Sequence, residues 1–156
     1  MLIEEPIVLL VDDSEDDAQL VRIVFKRAGF VAPLQVAHDG EEAIAYLRGD
    51  GGYADRTRYP LPTALLLDLN LPRHDGFEVL AWIRQQPAHK RLGVYILSAS
   101  SRAADIQRAY DLGATSYLVK PGTLDELTGV AKGLLAWLRL VHFCVPDEIS
   151  SVETVC

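Results

Sequence analysis

Asp68 closes the apolar run Ala64-Leu65-Leu66-Leu67 and is followed by Leu69-Asn70-Leu71-Pro72. A carboxylate at the end of a buried strand stands where a parallel α/β sheet presents its ligands. A second apolar run, Ile7-Val8-Leu9-Leu10-Val11, ends in two more acids, Asp12 and Asp13. A third, Val94-Tyr95-Ile96-Leu97, ends in the hydroxyl of Ser98, and a fourth, Tyr117-Leu118-Val119, ends in Lys120-Pro121. Three carboxylates, a hydroxyl and an ammonium, each just past a different strand, suit phosphoryl acceptance and Mg²⁺ binding. An ionised aspartate can attack phosphorus and hold the group as an acyl phosphate. The incoming group is itself anionic, so a cation must relieve the repulsion. Asp12, Asp13 and Asp68 supply the hard oxygens that Mg²⁺ prefers, and Mn²⁺ or Ca²⁺ can take its place.

Taken singly, each feature has a plainer reading. An acid pair after a strand can cap a helix, and an aspartate before Leu-Asn-Leu-Pro can start a turn. Lys-Pro after a strand is ordinary solvated loop, and Tyr117 can be an edge-strand aromatic packed on a helix. Structural needs do not account for all of them, in this order, at successive strand ends. Three clustered acids with no partner would otherwise be a cost without a purpose.

The elements that must position these groups alternate between strand and helix patterns, as βα units on a parallel sheet do. The spacing predicts a first strand from Ile7 to Asp12 and a first helix from near Ser14 to Ala28, stopped by Gly29. Ser14 is its expected N-cap, with Asp16 and Asp17 in the favourable first turn. A short strand, Leu34 to Ala37, and a short helix, Glu41 to Leu47, come next. The insert Arg48 to Thr63, rich in Gly, Pro, Asp and Arg, exceeds the usual connection and is expected to be functional or mobile. The third strand is Ala64 to Asp68, and its helix runs from Gly76 to Gln86, ending before Pro87. A fourth strand (Gly93 to Leu97), a helix (Arg102 to Leu112) and a fifth strand (Ser116 to Val119) follow. The last helix starts near Thr123, with Thr123 and Glu126 at capping-box spacing.

The chain has 156 residues, 49% hydrophobic and 24% charged, enough for one domain with a sizeable core. Its net charge of −7 argues against nucleic-acid binding through a basic surface. The start of the chain reads as neither a secretory signal nor a membrane span. Cys144 and Cys156 lie without metal-type spacing, and a reduced, cytoplasmic protein is expected. No G-x-x-x-x-G-K-[ST] loop or G-x-G-x-x-G turn follows any strand, which disfavours nucleotide binding.

From about Ile7 to Leu138, the acids, Ser98 and Lys120-Pro121 resemble the receiver domain of bacterial two-component response regulators. The resemblance implies a flavodoxin-like, doubly wound sheet of five parallel strands in the order 2-1-3-4-5. It implies phosphorylation of Asp68 by a sensor histidine kinase, a Mg²⁺ site at Asp12, Asp13, Asp68 and the Asn70 carbonyl, and a supporting Lys120. Asp13 and Asp68 would touch the metal directly and Asp12 mainly through water. Ser98 and Tyr117 would be the conformational switch, with Asn70 and Ser100 tuning loss of the phosphate. The Lys120-Pro121 bond would be cis. Gly122 stands where many relatives carry an aromatic residue, which loosens any transfer of the chemotaxis regulator's partner surface. Aspartyl-nucleophile phosphatases resemble Asp-x-Asp at the nucleophile, whereas Asn70 occupies the second position here. The expectation is therefore a signalling protein and not an enzyme acting on external substrates. The competing expectation is a receiver-like dimeric adaptor whose phosphorylation is secondary.

The last helix carries an apolar stripe at Leu124, Leu127, Ala131, Leu134, Leu138 and Val141, with Leu135, Trp137, Leu140 and Phe143 on other faces. A helix apolar on all sides requires cover on all sides. The expected arrangement is a receiver domain over residues 1–141 and a tail over 142–156 that helps form a homodimer, the plainer alternative being that the tail from Cys144 to Cys156 folds back over this helix. Leu134, Trp137, Leu138, Val141 and Phe143 are the dimer's expected contacts. The Gly51-Gly52-Tyr53 insert, the Leu-Asn-Leu-Pro motif and the aromatic end of this helix resemble stand-alone regulators paired with bacterial phytochromes. That implies a light-sensing histidine kinase as phosphoryl donor.

Overall fold

The computed structural model describes residues 5–141 of the chain. Five parallel strands form one sheet: β1 (Val8–Val11), β2 (Gln35–Ala37), β3 (Ala64–Leu67), β4 (Gly93–Ser98) and β5 (Ser116–Val119). Their spatial order is β2-β1-β3-β4-β5, as expected. Between and after them run α1 (Glu15–Arg27), α2 (Gly40–Arg48), α3 (Gly76–Gln85), α4 (Ala103–Asp111) and α5 (Leu124–Leu140).

The two-residue period of a strand sorts its side chains onto opposite faces. Leu9, Val11, Leu65, Leu67, Val94 and Ile96 meet residues of α2, α3 and α4 in one core. Val8, Leu10, Leu66, Tyr95 and Leu97 meet α1 and α5 in the other. Burial on both faces explains why these strands read as unbroken apolar runs.

The helix signals hold to within a residue or two. Ser14 Oγ accepts from the Asp17 amide at 3.2 Å, and Thr123 Oγ1 accepts from the Glu126 amide at 3.2 Å. Gln86 has extended backbone (φ −84°, ψ 122°), because the following Pro87 disfavours the helical region for the residue before it.

The insert has structure of its own. Gly51–Ala54 forms a 3₁₀ turn, and the rings of Tyr46, Tyr53 and Tyr59 pack with centroids 4.9–5.9 Å apart. Arg56 donates to the carbonyls of Tyr46, Leu47 and Tyr59, which joins the insert to the end of α2. The insert leads into the start of β3, the end of that strand opposite Asp68.

Helix α5 corrects one expectation. Leu134 and Leu138, expected at a subunit contact, are buried in the protein's own core together with Leu127, Ala131 and Leu135. Val141 is half-buried. Trp137 and Leu140 remain exposed, at 56% and 71%. The Trp137 indole Nε1 donates to the Tyr95 hydroxyl at 3.1 Å, which ties the ring to β4. Phe143 and the 142–156 tail lie outside the described residues. Among those described, no helix is long and apolar enough to cross a membrane.

Candidate functional site

Parallel strands bring their carboxyl ends to one edge of the sheet, so side chains just past β1, β3, β4 and β5 share a cleft. Asp12 is 1% exposed, Asp68 8% and Ser98 0%, whereas Asp13 is exposed. Ligand oxygens of Asp12, Asp13 and Asp68 all lie within 4.8 Å of one another.

Each buried group is oriented by its own loop. Asp12 Oδ1 accepts from the Ser14 amide at 3.0 Å, Asp68 Oδ1 from the Asn70 amide at 3.2 Å, and Ser98 Oγ from the Ser100 amide at 3.2 Å. The turn-forming role expected of Asp68 is therefore real, whereas α1 is capped by Ser14 and not by the acid pair. These local bonds coexist with the site because each carboxylate keeps its second oxygen for other partners. Asp12 Oδ2 lies 3.4 Å and Asp68 Oδ2 3.8 Å from Lys120 Nζ. Lys120 is carried over the cleft by β5 and positioned by its amide, which donates to the Ser98 carbonyl at 2.7 Å.

The charges do not balance. Burial pushes the Asp68 carboxyl above its usual range. Lys120 and the Asn70 amide oppose that shift, and the like charges of Asp12 and Asp13 add to it. Burial alone would push the Lys120 ammonium down, but Asp68, Asp12 and Asp17 reverse the direction and keep it charged. One ammonium against three close carboxylates leaves net negative charge in a confined pocket of hard oxygens. That donor set fits a divalent cation.

The residues expected to switch, Ser98 and Tyr117, are connected to α4. Ser100, two residues past Ser98, donates its hydroxyl to Asp105 Oδ2 at 2.6 Å. The Tyr117 hydroxyl donates to the Ser100 carbonyl at 2.8 Å, and the Tyr117 amide donates to the Tyr110 hydroxyl at 3.1 Å. The half-buried Tyr117 ring packs against the α2–α3–α4 core. Tyr117 thus meets both the β4–α4 loop and α4.

Two features differ from expectation. No peptide bond among the described residues is cis, so Lys120-Pro121 is trans here. Asp17, expected only to favour the first turn of α1, lies 3.5 Å from Lys120 Nζ. The signal available in the sequence was its place one helical turn after the Asp12-Asp13 pair.

Residues 8–132 match the response regulator receiver domain. The chain belongs to that family. This receiver is similar to the response regulator Rcp1 of Synechocystis sp., with 39% identity over 136 residues, covering 86% of this chain and 90% of the relative. Rcp1 has also been solved in a Mn²⁺-bound form, with a TM-score of 0.78 and 38% identity, covering 90% of this chain and 99% of that one. The phosphorylated cyanobacterial phytochrome response regulator RcpA superposes with a TM-score of 0.81 at 36% identity, covering 90% of this receiver and 99% of RcpA. RPA3017, a response regulator in red light signaling of R. palustris, does so with a TM-score of 0.84 at 35% identity, covering 90% and 99%.

Proposed function

We propose that this receiver accepts a phosphoryl group on Asp68 from a sensor histidine kinase of the bacterial phytochrome type, in a Mg²⁺-dependent reaction in the cytoplasm. One observation carries the reading: Lys120 reaches toward Asp68 and Asp12 across a cleft whose third acid, Asp13, completes a cation-binding cluster. An Asp68 oxygen attacks phosphorus, the P–N bond to the donor histidine breaks, and its electron pair stays with the imidazole. The product is an acyl phosphate. Such transfer needs little beyond positioning and charge stabilisation. The Asn70 amide fixes the orientation of the nucleophile, and Lys120 neutralises a phosphoryl oxygen. Asp12, Asp13, Asp68 and the Asn70 carbonyl are the groups that would hold Mg²⁺, which would supply positive charge to offset that of the phosphoryl group.

Phosphorylation would draw the Ser98 hydroxyl to the new group and bias the Ser100–Tyr117 arrangement. That arrangement is one of two pre-existing conformations and not a new one. Asn70 in place of a second acid supports a protein that turns over its own phosphate and no external substrate. The phytochrome pairing is supported by the likeness to RcpA, Rcp1 and RPA3017. A homodimer is supported by Trp137 and Leu140, large apolar side chains that the chain's own core leaves exposed.

The test is incubation with acetyl phosphate and with phytochrome-type histidine kinases plus ATP and Mg²⁺, followed by mass spectrometry. One added phosphoryl group, absent from Asp68→Asn, is expected. Stable label on a serine or histidine would overturn the assignment.

A further inference from the structure

Lys120 has three carboxylate partners, and one of them is not part of the acceptor cluster. Asp17 Oδ2 lies 3.5 Å from Lys120 Nζ, nearer than Asp68 at 3.8 Å and level with Asp12 at 3.4 Å. Its position is set locally. Asp12 Oδ1 holds the Ser14 amide, and Ser14 Oγ holds the Asp17 amide. The first turn of α1 is thereby fastened to the same aspartate whose other oxygen faces Lys120. Asp17 needs no such position for the helix, because Ser14 already caps it and Glu15 and Asp16 already provide first-turn acids.

We infer that Asp17 is a positioning residue that holds Lys120 back in the resting receiver and yields it when a phosphoryl group arrives at Asp68. The inference rests on Asp68 being the acceptor. Asp17 is half exposed, with 50% of its side chain accessible, so its hold on the ammonium is weakened by water. A phosphoryl group on Asp68 brings nearly two negative charges into the less accessible side of the cleft and attracts the ammonium more strongly. Lys120 then swings from a contact shared with Asp17 to one with the phosphoryl oxygen. Asp17 acts as a brake, because its contact must loosen before Lys120 can neutralise charge developing at Asp68.

The test is the rate of phosphate incorporation from acetyl phosphate at saturating Mg²⁺, read by mass spectrometry. Asp17→Asn should react about two- to fivefold faster than wild type, the span of an exposed ion pair. A residue that served only the fold would slow the reaction when replaced. Asp17→Glu, which keeps the charge, should stay near the wild-type rate. Asp16→Asn removes equal charge from the same turn without an ion pair to Lys120, and should also leave the rate near wild type. In a Lys120→Gln background, Asp17→Asn should have no further effect. A wild-type rate in Asp17→Asn, or an equal gain in Asp16→Asn or in the Lys120→Gln background, would overturn the inference and leave Asp68 as acceptor. Failure of the wild type to take up phosphate on Asp68 would overturn both readings.

Discussion

Replacing Gly76 with alanine should damage the site through the backbone, without touching any charged group. Gly76 is the first residue of α3, and its amide donates to the Leu69 carbonyl at 3.0 Å. A Cβ at this position would overlap the Asp68 carbonyl oxygen and lie 2.6 Å from Leu69 Cα. Both are main-chain atoms, so no side-chain rotation can make room. Either α3 moves away from the sheet or the peptide after Asp68 is displaced. Overpacking of this kind costs about 1–3 kcal/mol. The higher helix preference of alanine returns at most about 1 kcal/mol, and less at a first helical position. A net loss of about 1–2 kcal/mol lowers the melting temperature of a chain this long by about 2–8 °C. Phosphate uptake at Asp68 should fall further than stability does, because the displaced peptide carries the nucleophile. Gly129→Ala is the matched control. Gly129 lies within α5, and a Cβ added there would meet nothing within 4 Å, so the same change should stabilise by about 0.5–1 kcal/mol. Calorimetry and acetyl phosphate labelling of both variants decide the matter. A Gly76→Ala protein that melts with the wild type and labels at the wild-type rate would refute the close-approach argument.

Asp68→Asn should raise the stability of the metal-free protein at neutral pH, because folding raises the carboxyl's pKa and so disfavours its ionised form. That cost is present above the raised value and fades as pH falls toward the ordinary 3.8, so the melting gain should shrink in acid; a gain that grows in acid would contradict it. Mg²⁺ should raise the melting temperature of the wild type by binding only the folded acid cluster, and Asp13→Ala should abolish that response; a surviving shift would count against the cluster as the metal site. The full chain should scatter light as a dimer at micromolar concentration, and Leu140→Glu should yield a folded monomer that still labels at Asp68. Leu138→Ala should instead destabilise the fold by about 2–5 kcal/mol, measured by denaturant unfolding, since Leu138 fills the chain's own core.

The order of the strands' apolar runs and the groups that end them were legible without coordinates. A buried parallel strand is apolar on both faces, so its end is marked where the first polar residue appears, and Asp12, Asp68 and Ser98 are those residues. The caps at Ser14 and Thr123 were legible for a similar reason, because the bond from side chain to amide spans only three residues. The stripe on α5 was legible as apolar but not as to what covers it. Leu134 and Leu138 are buried in this chain's own core while Trp137 and Leu140 stay exposed, and only the placement of α5 in the fold, against α1, separates the two sets. The insert's length and composition suggested a functional or mobile segment, and the contacts of Arg56 and the three tyrosines that join it to α2 are ones no local pattern encodes. Asp17 has the same origin. Its place in the first turn of α1 was legible from the cap at Ser14, but its ion pair with Lys120 joins residues more than a hundred positions apart. Local chemistry follows from the order of residues along the chain, whereas the partner of a charge or an apolar face depends on which elements the sheet places side by side.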